Sequence, residues 1–126
     1  MTRRRPLVRI GIAVSCLAAC GGPTYPSGAL EGITIYEHTD YGGSARTIGA
    51  DERDFLALGG PCMTWDNCVS SIKVSPGWSG TIYEDPNFLG AALVVTTDLP
   101  NLHDVRGPCG DEWDDCISSI RTVRPQ

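Results

Sequence analysis

Beyond its first nineteen positions the chain is poor in positive charge. Four of its ten Lys and Arg, namely Arg3, Arg4, Arg5 and Arg9, fall in that opening segment, which holds no acid; six basic residues then face fifteen Asp and Glu, a formal charge of −9. A surface this acidic argues against nucleic-acid binding, which rests on phosphate neutralisation by Lys and Arg. Long apolar runs are also missing: the best, Ile10 to Ala19, is about half the ~20 residues a membrane span needs. Catalytic signatures are absent. No Gly-x-Ser-x-Gly elbow occurs, and Asp114 and Asp115, adjacent in sequence, would point apart rather than flank a scissile bond. His38 and His103 read as exposed loop residues, and no enzymatic activity is expected. Cysteine-held zinc is not expected either, because no Cys-x-x-Cys occurs and neither His lies at ligand spacing from a Cys.

The opening segment has the form of a bacterial export signal, a basic stretch followed by a short apolar one. It ends Leu17-Ala18-Ala19-Cys20, which resembles a lipobox; the resemblance implies cleavage before Cys20, acylation of its thiol and attachment to a membrane surface. An ordinary secretory signal is the alternative. Residues 1–19 are therefore expected to be a signal peptide, 20–31, with Gly21, Gly22, Pro23, Pro26 and Gly28, a lipid-anchored flexible tether, and 32–126 the folded domain. The protein is expected on the cell envelope as a membrane-anchored lipoprotein, or secreted.

From Ile33 the chain repeats itself. Residues 35–43 (Ile-Tyr-Glu-His-Thr-Asp-Tyr-Gly-Gly) match 82–90 (Ile-Tyr-Glu-Asp-Pro-Asn-Phe-Leu-Gly), and Asp51, Phe55 and Gly60-Pro61-Cys62 match Asp98, Leu102 and Gly107-Pro108-Cys109, all 47 positions apart. One extra residue then shifts Trp65 to Trp113 and Ser71 to Ser119. Each unit reads as β: alternation around Ile33 to Tyr36 and Thr81 to Tyr83, β-branched runs at 45–48 and 91–97, and closing strands at 71–75 and 119–123. Short strands separated by Gly, Pro and Asx indicate an antiparallel sandwich. Between second and third strands, 51–58 predicts one helical turn, while Pro100 predicts an irregular counterpart. Gly43 and Gly90 are expected to take backbone angles that let each hairpin tip fold back over an aromatic ring.

The same repeat carries Asp66-Asn67-Cys68-Val69-Ser70-Ser71 and, in register, Asp114-Asp115-Cys116-Ile117-Ser118-Ser119. Adjacent Asx residues and a Ser pair gather oxygen donors of the kind calcium requires. One such loop would read as an Asx turn satisfying its own backbone; two copies in register favour calcium. With Cys16 in the leader and Cys20 lipidated, Cys62, Cys68, Cys109 and Cys116 remain for two disulfides. Of three connectivities, Cys62 with Cys68 and Cys109 with Cys116 is favoured, since each pair lies within one repeat and brackets the approach to one acidic loop.

Tyr36-x4-Tyr41-x-Gly43 and Tyr83-x4-Phe88-x-Gly90 resemble the Greek-key signature of the βγ-crystallin superfamily, and the two acidic loops resemble its microbial calcium-binding motif, over residues 33–124. The resemblance implies an all-β domain, two Greek-key motifs (about 32–76 and 79–124) forming a single antiparallel β-sandwich with two calcium sites near one end. It further implies shared sites: Asn67 and Ser70 with Glu84, and Asp115 and Ser118 with Glu37, while Asp66 and Asp114 orient the loops or bind through water. Cys68 and Cys116 depart from the signature. Asp115 replaces the first loop's Asn67, with Asp111 and Glu112 just upstream, so the second site is expected to bind calcium more tightly. The function expected is an exported calcium-binding module, its partner an envelope or extracellular protein or glycan that no residue specifies. The alternative is a secreted proteinase inhibitor or toxin-like protein of the same fold, presenting 59–65 or 107–113 to a protease.

Overall fold

The computed structural model describes residues 30–126; the expected signal segment, Cys20 and nearly all of the tether lie outside the described residues. Its strands are β1 (Ile33–His38), β2 (Gly42–Ile48), β3 (Gly59–Gly60), β4 (Met63–Thr64), β5 (Ser71–Val74), β6 (Ser79–Asp85), β7 (Leu89–Val95) and β8 (Ser119–Val123). Alternation in β1 buries Ile33 and Ile35 and leaves Thr34 and Tyr36 half-buried. The strand lies between β2 and β5, antiparallel to both, and β6 lies in the same way between β7 and β8. The repeat in sequence is thus a repeat of three-stranded sheets. Their inward residues, Ile33, Ile35 and Ile72 from one and Ile82, Val95 and Ile120 from the other, share a single core. Phe55, Leu102, Trp65 and Trp113 complete it.

The two motifs are interlocked by exchange. After β2 the chain crosses to the other sheet, where Glu52 N donates to Ile120 O (2.8 Å) and accepts the reciprocal bond (2.9 Å); after β7, Leu99 does the same with Ile72 (2.8 and 2.9 Å). The carboxylates of Asp51 and Asp98 extend this contact, accepting from Thr122 N and Val74 N at 2.8 Å each. Both crossings end in a single 3-10 turn. Asp54 caps Phe55–Ala57 by accepting from Leu56 N, and Asn101 caps Leu102–Asp104 by accepting from His103 N, both at 3.0 Å. The second turn corrects the irregular segment expected there. Pro100 precedes the cap residue, so the turn needs no N–H from it and its ring obstructs nothing. The ribbon of β3 and β4 is an addition too short for periodicity to reveal.

In each hairpin the tip folds back as expected. The Tyr36 and Tyr41 rings meet edge-on at 5.5 Å, Tyr83 and Phe88 at 5.7 Å. Gly43 (φ +74°) and Gly90 (φ +81°) sit where a Cβ would lie 2.7 Å from the His38 ring and 2.6 Å from an Asp85 oxygen. What holds the tips is a pair of fully buried hydroxyls. Ser71 Oγ donates to His38 O (2.6 Å) and accepts from Tyr41 N (2.9 Å); Ser119 Oγ donates to Asp85 O (2.6 Å) and accepts from Phe88 N (3.0 Å). Removing either hydroxyl leaves two backbone groups without partners. Ser71→Ala and Ser119→Ala should each cost about 1–3 kcal/mol, read as a lowered denaturant midpoint at unchanged slope; a change within error would refute the pinning role.

Candidate metal centre

Each acidic loop hangs from a buried Trp, Trp65 or Trp113, and from a buried cysteine. Cys62 is bonded to Cys68 and Cys109 to Cys116, the pairing the repeat favours. Between Trp and Cys the chain turns sharply, with Asn67 and Asp115 both at φ 52°, a left-handed conformation that Asn and Asp tolerate better than other side-chain-bearing residues. The same two residues occupy equivalent places because the repeat demands the same turn.

Four backbone hydrogen bonds decide which oxygens meet. Asp115 N donates to Val69 O (3.0 Å) and Asn67 N to Ile117 O (3.1 Å), so each loop docks on the residue just before the other loop's serine. Ser70 N donates to Tyr36 O (2.9 Å) and Ser118 N to Tyr83 O (3.0 Å), setting each serine against the hairpin of its own motif. One constellation is therefore Glu37, Ser70, Asp114 and Asp115, which line a common recess. The same bonds set Asn67 and Asp66 toward Ser118 and Glu84. The serines are exchanged relative to the sets implied by the motif resemblance: Ser70 stands with Glu37 and Asp115, and Ser118 with Glu84 and Asn67.

The glutamates are placed to offer backbone oxygen. Glu37 and Glu84 fall where the strand register shifts, between Tyr36 and His38 and between Tyr83 and Asp85, and such bulges leave a residue outside the ladder. Their carboxylates turn back onto their own hairpins, accepting from Ser44 N (3.2 Å) and Ala91 N (3.3 Å). Asp66 Oδ1 and Asp114 Oδ1, equivalent atoms of the two loops, are buried and have no hydrogen-bond partner among the described residues. A buried oxygen with no partner calls for a cation or bound water. Backbone carbonyls, a serine hydroxyl and carboxylates form an all-oxygen donor set, which fits calcium. Partial desolvation raises the Asp115 carboxyl above the ordinary carboxylate range, and the charge and hydrogen bond of Asp114 beside it add to this, with His103 opposing. A cation would relieve that repulsion.

His103, read from sequence as an exposed loop residue, stands at this loop with its side chain exposed. Its Nδ1 hydrogen-bonds Glu112 Oε1 and its Nε2 lies 3.2 Å from Asp114 Oδ2. The Glu112 bond, with the charges of Asp114, Glu112 and Asp115, raises the imidazole above its ordinary value of 6.5 despite some desolvation. His38 lines the same recess.

No protein-family model matches the chain. It is 31% identical over 97 residues to the development-specific protein S homolog of Myxococcus xanthus, an alignment covering 75% of this chain and 49% of that protein, so the chain spans about half the length of the curated relative it matches. It superposes on a βγ-crystallin domain from Flavobacterium johnsoniae with a TM-score of 0.60 and 26% identity, covering 73% of this chain and 93% of that one. On the N-terminal domain of protein S the TM-score is 0.59 at 25% identity, covering 74% and 96%. The chain has the βγ-crystallin domain fold.

The raised imidazole carries a pH signature. A pKa higher in the folded state than in the unfolded one gives stabilisation that is complete below about pH 6.5 and lost as pH rises through the folded value. His103→Ala should therefore lower the melting temperature more at about pH 5.5 than at about pH 8.5; equal losses in melts at both pH values would show that the ring's contacts are not electrostatic.

Proposed function

We propose that this protein is a non-enzymatic calcium-binding module with two calcium sites, one formed by Glu37, Ser70, Asp114 and Asp115 and the other by Glu84, Ser118, Asp66 and Asn67. The observation that carries the reading is the pair of buried Asp Oδ1 atoms, without partners among the described residues, at equivalent positions of two loops otherwise rich in oxygen donors. Each site draws on both motifs, so calcium would bind the interlocked form and not the unfolded chain. It would add about 3–4 kcal/mol once free ion exceeds the dissociation constant a hundred- to a thousand-fold. The second loop's set is the more negative, with Asp115 in place of Asn67.

The working place proposed is outside the cytoplasm, on the envelope through a lipidated Cys20 or secreted. The basic and apolar leader, the Leu-Ala-Ala-Cys sequence and the two disulfides support this. Extracellular modules commonly bind calcium at roughly 0.1–1 mM, a range that would keep such a domain loaded outside cells.

Calorimetric titration of the oxidised protein should show two calcium events and a raised melting temperature. Ser70→Ala should weaken one event and Ser118→Ala the other, by about 10- to 100-fold, the scale of one lost polar contact to a charge. No heat and no thermal shift at millimolar calcium would overturn the reading and leave a fold whose loops serve structure alone.

A further inference from the structure

The duplication supplies an internal control for the second loop. Where the second repeat has His103, Glu112 and Asp114, the first has Leu56, Thr64 and Asp66. Thr64 satisfies its loop simply, its Oγ1 accepting from Asp66 N at 3.2 Å. The first repeat builds the same turn, disulfide and Trp anchor without histidine, so the fold does not require His103 or Glu112.

The three side chains nonetheless converge, with one ligand atom from each within 4.8 Å of the others. Glu112 engages Nδ1, which directs Nε2 toward Asp114 Oδ2 at 3.2 Å. That separation is close to the ~3.3 Å edge of a tetrahedron whose ligands stand about 2.0–2.1 Å from a shared zinc ion. A carboxylate on the far nitrogen is the outer partner that metal-bound imidazoles commonly have. Asp114 itself is nearly enclosed: its side chain is only 9% exposed, and its Oδ1, like Asp66 Oδ1 in the first loop, has no partner among the described residues. His103 is 54% exposed, which leaves a path for an ion.

We propose that His103 Nε2 and Asp114 Oδ2, with Glu112 orienting the ring, form a site for a borderline divalent transition cation of the zinc type, distinct in chemistry from the oxygen-only calcium sets. Imidazole nitrogen favours such ions, whereas carboxylate and carbonyl oxygens alone favour calcium. Asp115, in the same recess, carries a further carboxylate for a remaining position. The first loop, lacking His, would take calcium alone. The site shares Asp114 and Asp115 with one proposed calcium set but turns on His103, which that set does not use, so the zinc and calcium titrations fail separately.

The test is calorimetric titration of zinc sulfate into the oxidised full chain in calcium-free buffer, with His103→Ala and Glu112→Gln variants whose near-ultraviolet circular dichroism confirms the buried Trp environment. The parent should bind one zinc; His103→Ala should lose that event, and Glu112→Gln should weaken it about 10- to 100-fold. No zinc binding by the parent, or undiminished binding by folded His103→Ala, would overturn the proposal. A folded Glu112→Gln with parental affinity would equally remove the role given to that carboxylate.

Discussion

The structure depends on the reciprocal docking of two loops: Asp115 N on Val69 O, and Asn67 N on Ile117 O. These bonds lie where the two motifs meet, and they place both acidic loops. They bring the acidic end of each loop to the serine of the other motif, which its own sheet holds against its hairpin through Ser70 N to Tyr36 O or Ser118 N to Tyr83 O. Without the exchange each motif would keep a serine and a bulged glutamate on one side and its acidic pair on the other. With it, oxygen donors from sequence-distant segments converge twice.

The surroundings make this arrangement rigid. Trp65, Trp113, Cys68 and Cys116 are buried beside the loops, and the disulfides tie each cysteine to the ribbon or turn just before it. A loop of six or seven residues closed in this way removes about 2 kcal/mol of unfolded-chain entropy in the loop-closure model. The benefit to a binding site is preorganisation, since a loop already fixed loses less on taking up an ion. Against this stand the partial desolvation of the Asp115 carboxyl and, after it, the charge of Asp114 beside it, which together hold that carboxyl above the ordinary range. In the second loop His103 stands against part of that charge; in the first, Asn67 in place of Asp lowers it at the source.

Much of the fold was legible because it is local and repeated. The spacing of Tyr36, Tyr41 and Gly43, duplicated at Tyr83, Phe88 and Gly90, encodes a hairpin whose geometry is set within nine residues. The disulfides followed from the same repeat. What was not legible depends on contacts between the repeats. Which serine faces which acidic pair is set by hydrogen bonds across some fifty residues of chain, and no periodicity records them. The 3-10 turn at Leu102–Asp104 was obscured by Pro100, whose effect depends on falling before the cap and not within the turn. His103 gave no sign by spacing to cysteine, since its partners are carboxylates nine and eleven residues on. The one signal available was the difference between repeats, Leu56 against His103 and Thr64 against Glu112, at positions where the rest of the unit is matched.

The most direct measurement is anomalous diffraction from calcium-grown crystals, because it locates each ion against named residues. Reciprocal docking requires two peaks, one between Glu37, Ser70 and Asp115 and the other between Glu84, Ser118 and Asn67. Peaks that instead unite Asp115 with Ser118, or Asn67 with Ser70, would contradict the exchange of donors between motifs, and no ordered calcium at either loop would contradict the metal centre itself.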